Sequence, residues 1–461
     1  MSTLKTTNLQ ESNASGANIV LGTGSGGGAT ISGVTTSSTL RATTGITTTA
    51  LINTATITTS RTTTGITTTA TIDTATVGGV TTLNSDGINS TGISTAKAFV
   101  PSEGQTSHRN LIINGAMSVA QRATSSTSVG YVTIDRFNTD YGGENEAMTY
   151  TQHALTSSDT GPWAEGFRHS FHVQNGNQTG GAGAGDYVFV RTKLEAQDLS
   201  TSGWNYNSSS SYITLSFWVK SSVAQNFYGR LESPDGTTYN YPFETGSLTA
   251  NTWKKITKTI PGNSNLTINN DNGSGMEFHW QLFRGTNFTD SGVALNTWAT
   301  YASGTRTPDA TSTWWTTNDA TWELTGVQLE VGSVATPFEH RSYGDQLKRC
   351  KRYYQQYPEL AADGYAPYPG SGAAVMTTTT AGWAMNYDTM RAAPTVSWSG
   401  NHRMVELNAD RAVTGFAAYH GSASTGWMIV TASGGGMTAG NAAIIGRNND
   451  TSAYVKFDAE L

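Results

Sequence analysis

The sequence predicts an all-β protein in three parts: an N-terminal trimeric β-repeat shaft, a jelly-roll β-sandwich and a small C-terminal β domain. Three observations predict it. First, Thr43–Ala50 returns letter for letter as Thr63–Ala70, twenty residues later, and a fixed period of that size marks stacked or coiled units. Second, from Asn110 onward apolar residues alternate with polar ones, as in half-buried strands. Third, clusters of glycine, asparagine and serine separate those runs, as turns between antiparallel strands require.

Residues 1–28 are polar and end in the glycine-rich Gly22–Gly28. They are expected to dock the chain on a larger assembly. Residues 29–96 are the shaft. Eighteen of the forty residues from Arg41 to Val80 are threonine, whose branched β-carbon favours extended backbone. Ile46 and Ile52 share one parity, and after Asn53 the parity flips to Ile57. Ile66, Ile72 and Val77 repeat the pattern around Asp73. A flip at Asn or Asp is what an Asx-type turn produces. So few apolar side chains per repeat cannot offset the entropy of ordering one isolated ribbon. Several chains wound together bury every isoleucine, so a homotrimer is expected, with these six residues facing its shared axis. A disordered Ser/Thr linker is the alternative, although proline is absent before Pro101.

Residues 97–109 form a polar connector. Residues 110–357 carry the sandwich. In Tyr212–Lys220, residues Ile213, Leu215, Phe217 and Val219 make one face. Val188, Val190 and Leu194 align in a second strand, and Phe278, Trp280 and Leu282 in a third. Trp322 and Leu324 share one parity while Val327 and Leu329 take the other, so a bulge is expected near Gly326. Ser342–Tyr354 reads as a helix stopped by Pro358. Residues 358–461, rich in glycine and alanine with short strands at Thr395–Trp398 and Trp427–Thr431, form the C-terminal domain.

Net charge is −6 and only 13% of the 461 residues are charged. That argues against a nucleic-acid footprint. The lone Cys350 leaves no intrachain disulfide, and no apolar run reaches membrane-spanning length. With no signal-peptide core after Met1, synthesis in a cytosol is expected, and a fibre made there fits a particle released by lysis.

Catalytic signatures are missing. There is no nucleophile elbow, zinc-protease helix or phosphate loop. Gly181–Gly185 lacks the helix that a nucleotide loop needs. The histidines show no ligand spacing, so no metal or cofactor is expected. Glu144, Glu146, Glu277 and Glu330 could pair for glycoside cleavage, but no spacing selects a pair. Sugar binding needs aromatic platforms beside polar forks. The non-core parity of three strands offers Tyr212, Trp218, Arg191, His279 and Gln281 as candidate glycan contacts. Trp218 could instead cover a second layer of the core. Trp314-Trp315 could be an exposed anchor or a buried plug.

Asn110–Arg122, Asp135-Arg-Phe137, Gly326–Arg341 and Leu347–Gln355 together resemble the carbohydrate-binding-like jelly-roll domain of bacteriophage tail-fibre and related virion proteins. The resemblance covers residues 110 to 357. It implies a β-sandwich on a virion fibre and does not fix a ligand, because the matching residues read as structural. With the candidate contacts above, the expected function is a tail fibre made in the host cytoplasm, attached to other tail proteins at its N-terminus and adhering to host surface glycan such as lipopolysaccharide. A head-attached fibre or decoration protein, or a surface depolymerase, are the alternative functions.

Overall fold

The computed structural model describes residues 107–358, 363–407 and 409–461, which belong to one compact unit. The expected docking segment and shaft, with Ile46, Ile52, Ile57, Ile66, Ile72 and Val77, lie outside the described residues.

The described chain is all-β, as the alternating pattern requires. Twelve strands build a sandwich: β1 (Ser125–Ser126), β2 (Asn138–Gly142), β3 (Thr149–Ala154), β4 (His169–Gln174), β5 (Tyr187–Glu195), β6 (Tyr212–Ser221), β7 (Tyr228–Ser233), β8 (Tyr239–Glu244), β9 (Lys254–Pro261), β10 (Ser274–Arg284), β11 (Ala299–Thr300) and β12 (Thr321–Val331). They pair in two six-stranded sheets, ordered β1-β3-β4-β12-β6-β9 and β11-β8-β7-β10-β5-β2. Every pairing within them is antiparallel.

The inward rows meet between the sheets. Phe137, Phe171, Phe217 and Trp280 are buried there. Phe217 meets Trp280 edge to face at 5.7 Å, an arrangement aromatic quadrupoles favour. The expected bulge is present: the β12–β6 register shifts between Thr325 and Gln328. Gly326 takes φ +63°, and a Cβ there would lie 2.7 Å from the Phe167 ring. This lets Trp322 and Leu324 before it, and Val327 and Leu329 after it, all enter the core.

The first and last sandwich motifs hold each other. The Asn110 amide donates to the Val327 carbonyl at 3.0 Å, and its oxygen accepts from Leu329 N–H at 3.1 Å. Glu339 accepts from Asn110 N–H, and Phe338 packs on Phe167 at 4.7 Å. Asp135, Arg136 and Phe137 are all buried. The stretches that carry the family resemblance are therefore framework.

The helix spans Tyr343–Lys351, with Ser342 capping its first turn through Asp345 N–H. It ends sooner than the spacing suggests, because the chain at Tyr354 turns into a strand. This is β13 (Tyr354–Tyr357), followed by β14 (Pro367–Val375), β15 (Thr380–Asn386), β16 (Thr395–Ser399), β17 (His402–Glu406), β18 (Ala409–Gly421), β19 (Thr425–Ala432), β20 (Ala442–Arg447) and β21 (Tyr454–Asp458). β14-β15-β19-β18-β17-β20 close a barrel around Trp383, Met404, Met428, Val430 and Ile445. β13 pairs with β21, and β21 with β16. The stretch expected to end the sandwich is thus stitched to the last strand of the chain.

Candidate functional site

The outward row of the second sheet is built by simple alternation. Along β5, Val188 and Val190 point into the core, so Tyr187, Phe189 and Arg191 point out. Register aligns Arg191 with His279 of β10, and His279 with Arg230 of β7. Glu277 and Glu232 stand opposite each other one step along, and Asp140 of β2 lies beside Phe189. The chain after β10 folds back over this face and brings Phe288, Tyr301 and Arg306. Together these residues and Arg284 line a pocket of about 430 Å³.

Arg284 is there because of a bulge. The β10–β5 register shifts between Gln281 and Phe283. Unbroken alternation would have put Arg284 on the Phe278, Trp280 and Leu282 side, in the core. One extra residue turns it outward, opposite Tyr187, a re-aiming that bulges provide.

Most charges in the pocket are paired. Glu277 contacts Arg191 at 3.3 Å and Lys193 at 2.8 Å, and Arg230 is paired with Glu232. His279 Nε2 lies 3.2 Å from Glu277 and 3.2 Å from Arg230. Burial, then the Arg230 charge, push the His279 pKa well below its ordinary value, so the ring is neutral at pH 7. Burial alone would raise the Glu277 carboxyl. The His279 contact, with Lys193 and Arg191, instead holds it well below the usual carboxylate range. The pocket therefore presents fixed guanidinium donors, carboxylate acceptors and ring faces together, the mixture that orients a polyhydroxylated ligand.

Of the five glycan candidates, the structure brings Arg191 and His279 together in this pocket. Gln281 is on the same face but buried, and accepts from the Thr307 hydroxyl of the covering segment at 3.1 Å. Tyr212 and Trp218 stand on the outer side of the other sheet. There residues 155–168 cover Trp218: its indole N–H donates to Glu165 at 3.0 Å, and Gly161 packs on its ring. Asp159 of the same segment accepts from Lys220 and from the Trp253 indole, each at 3.0 Å. Trp314 and Trp315 are both fully buried plugs. Glu277 and Glu330 lie on different sheets, and Glu330 is taken up by Gln328 and Thr336.

The sequence reading missed Arg230, Arg284, Arg306, Phe288 and Tyr301. Parity on β7 would have reached Arg230 had that strand been recognised. It also missed His153, His172 and Glu323, whose ligand atoms lie within 4.8 Å of one another. Lys220 already supplies a cation to Glu323 at 2.9 Å. No helix among the described residues is long and apolar enough to cross a membrane.

No protein-family model and no curated protein sequence matches the chain. Among solved structures, the enzymatically active domain of tailspike protein 4 of bacteriophage CBA120 aligns with 48% of this chain at 9% identity and TM-score 0.26. The alignment spans only 21% of that domain's length. The N-terminal cellulose-binding domain of Cellulomonas fimi β-1,4-glucanase C aligns with 47% of this chain and 99% of its own at 10% identity, TM-score 0.23. The family 11 carbohydrate-binding module of a Clostridium thermocellum cellulosomal cellulase covers 47% of this chain and 98% of its own at 11% identity, TM-score 0.21. At these scores the likenesses carry nothing about function.

Proposed function

We propose that this chain is a non-enzymatic virion fibre protein, of tail-fibre type, that binds host surface glycan through the pocket on the second sheet. One observation carries the reading. Half-buried rings (Tyr187, Phe288, Tyr301) stand around a fixed set of guanidinium and carboxylate groups in a pocket large enough for sugar residues. Rings cover the apolar faces of pyranoses, and the charged forks bind hydroxyls. The threonine-rich repeat supports a trimeric shaft, which would hold three such sites at high effective concentration.

The test is titration of the full-length protein with oligosaccharides released from host cells. Wild type should bind saturably. Arg191→Ala should weaken binding about tenfold or more, as expected for a lost charge-assisted hydrogen bond. Tyr301→Ala should weaken it similarly through the lost ring face. Equal affinity in both variants would overturn the assignment. Sedimentation of the same protein should give a mass near three times 48.8 kDa, and a clean monomer would remove the shaft from the reading.

A further inference from the structure

Four arginines face the pocket, and their partners differ. Arg191 and Arg230 have carboxylates. Arg306 donates from Nε to the Tyr301 hydroxyl at 2.8 Å. Arg284, 5% exposed, has no hydrogen-bond or ion-pair partner among the described residues, and its Nε is buried and unsatisfied.

Three rings hold this guanidinium: Phe189 at 5.1 Å, Phe288 at 5.4 Å and Tyr187 at 5.7 Å. Ring quadrupoles attract the cation but supply no lone pair to its N–H groups, which are left for an acceptor. Asp140, the only lining carboxylate without an ion pair among the described residues, makes none with Arg284. Burial raises the Asp140 pKa and outweighs the lowering by the Arg191 and Arg284 charges. Burial, then Arg230 and Arg306, lower the Arg284 pKa to about 9, so the group is a strained cation at neutral pH. With His279 neutral, four guanidiniums face three carboxylates. The pocket is positive in a chain of net charge −6. A buried cation without a partner is costly, and an incoming oxyanion would offset that cost.

We infer that Arg284, flanked by Arg306, recognises an oxyanion, so the pocket takes an acidic glycan, one bearing a carboxylate, phosphate ester or sulfate ester. The bidentate N–H edge of a guanidinium matches all three groups. This rests on the glycan-binding reading above.

The full-length protein should be titrated with trigalacturonate, its carboxyl-reduced neutral counterpart, glucose, glucose 6-phosphate, glucose 6-sulfate and inorganic sulfate. The acidic trisaccharide should bind at least about tenfold more tightly than the neutral one, as a charge-assisted pair implies. If an ester sugar shows the larger preference over glucose, that names the group. Arg284→Met should abolish the acid preference and raise the melting temperature of the ligand-free protein, whereas a merely structural arginine would lower it. Arg306→Gln, at a less buried position, should reduce the preference without unfolding. Equal affinity for acidic and neutral sugars would overturn the inference and leave the glycan pocket standing. Sulfate binding that depends on Arg284, with no sugar bound, would keep the oxyanion site and remove the glycan reading.

Discussion

Arg136 and Glu460 form a buried ion pair across 324 positions of sequence. Arg136 also donates to the Lys193 carbonyl at 2.7 Å and stacks on Tyr353 at 3.4 Å. Arg122 reaches the same carboxylate at 3.3 Å and Asp458 at 3.1 Å. The residues after β21 are thereby clamped to the sandwich.

That clamp predicts the cost of Glu460→Gln. Arg136 is 1% exposed, and removing its counter-ion leaves a buried charge. Breaking such a pair costs about 3–5 kcal/mol. Chemical denaturation of the full chain should show a loss of that size. A loss below about 1 kcal/mol, the range of surface pairs, would mean that the site is hydrated.

Gly326→Ala should also destabilise, for two separate reasons. The backbone is left-handed at φ +63°, and the new Cβ would meet Phe167 at 2.7 Å. The conformational term alone is on the order of 1–2 kcal/mol, and the clash adds to it. Melting curves check this. An unchanged midpoint would mean that the bulge can relax into a regular strand.

This bulge was legible because parity changes within one short run, between Leu324 and Val327. The second bulge, before Arg284, was not. Phe278, Trp280 and Leu282 alternate cleanly, and nothing in the letters marks the extra residue. The pocket was missed for the same reason that the segment over Trp218 was not legible. Parity tells which side of a sheet a residue faces, but not whether a distant segment covers that side. Residues 155–168 cover Trp218, and Thr307 covers Gln281. The candidates Arg191 and His279 fell in the pocket because strand register places them side by side.

Acid should release the segment over the first sheet. Burial would raise the Asp159 carboxyl, but N–H donors from Thr156, Trp253 and Lys220 hold it at about 2. A released aspartate titrates near 3.9. The folded value is the lower one, so the stabilisation is present above about pH 4 and lost as pH falls toward 2. Tryptophan fluorescence should report the release over that window. Asp159→Asn should remove that transition, and a persisting transition would place its source elsewhere.

The last prediction separates the two faces of the sandwich. Trp218 stands outside the core of Ile213, Leu215, Phe217 and Val219, which parity alone would offer as a platform for sugar. Its indole N–H is instead committed to Glu165, whose carboxylate also accepts from Lys255 at 2.9 Å. Its ring lies under Gly161 and beside Gly326. Trp218→Ala should therefore remove a packed, half-buried ring and one hydrogen bond, lowering stability by about 1–3 kcal/mol. Glycan affinity should stay unchanged, because the pocket lies on the other sheet. Arg191→Ala should show the reverse, weaker binding with a small change in melting, since Lys193 and His279 still contact Glu277. Thermal melts and titrations on the same two variants decide it. Weaker binding by Trp218→Ala at an unchanged melting temperature would move the glycan site to the first sheet.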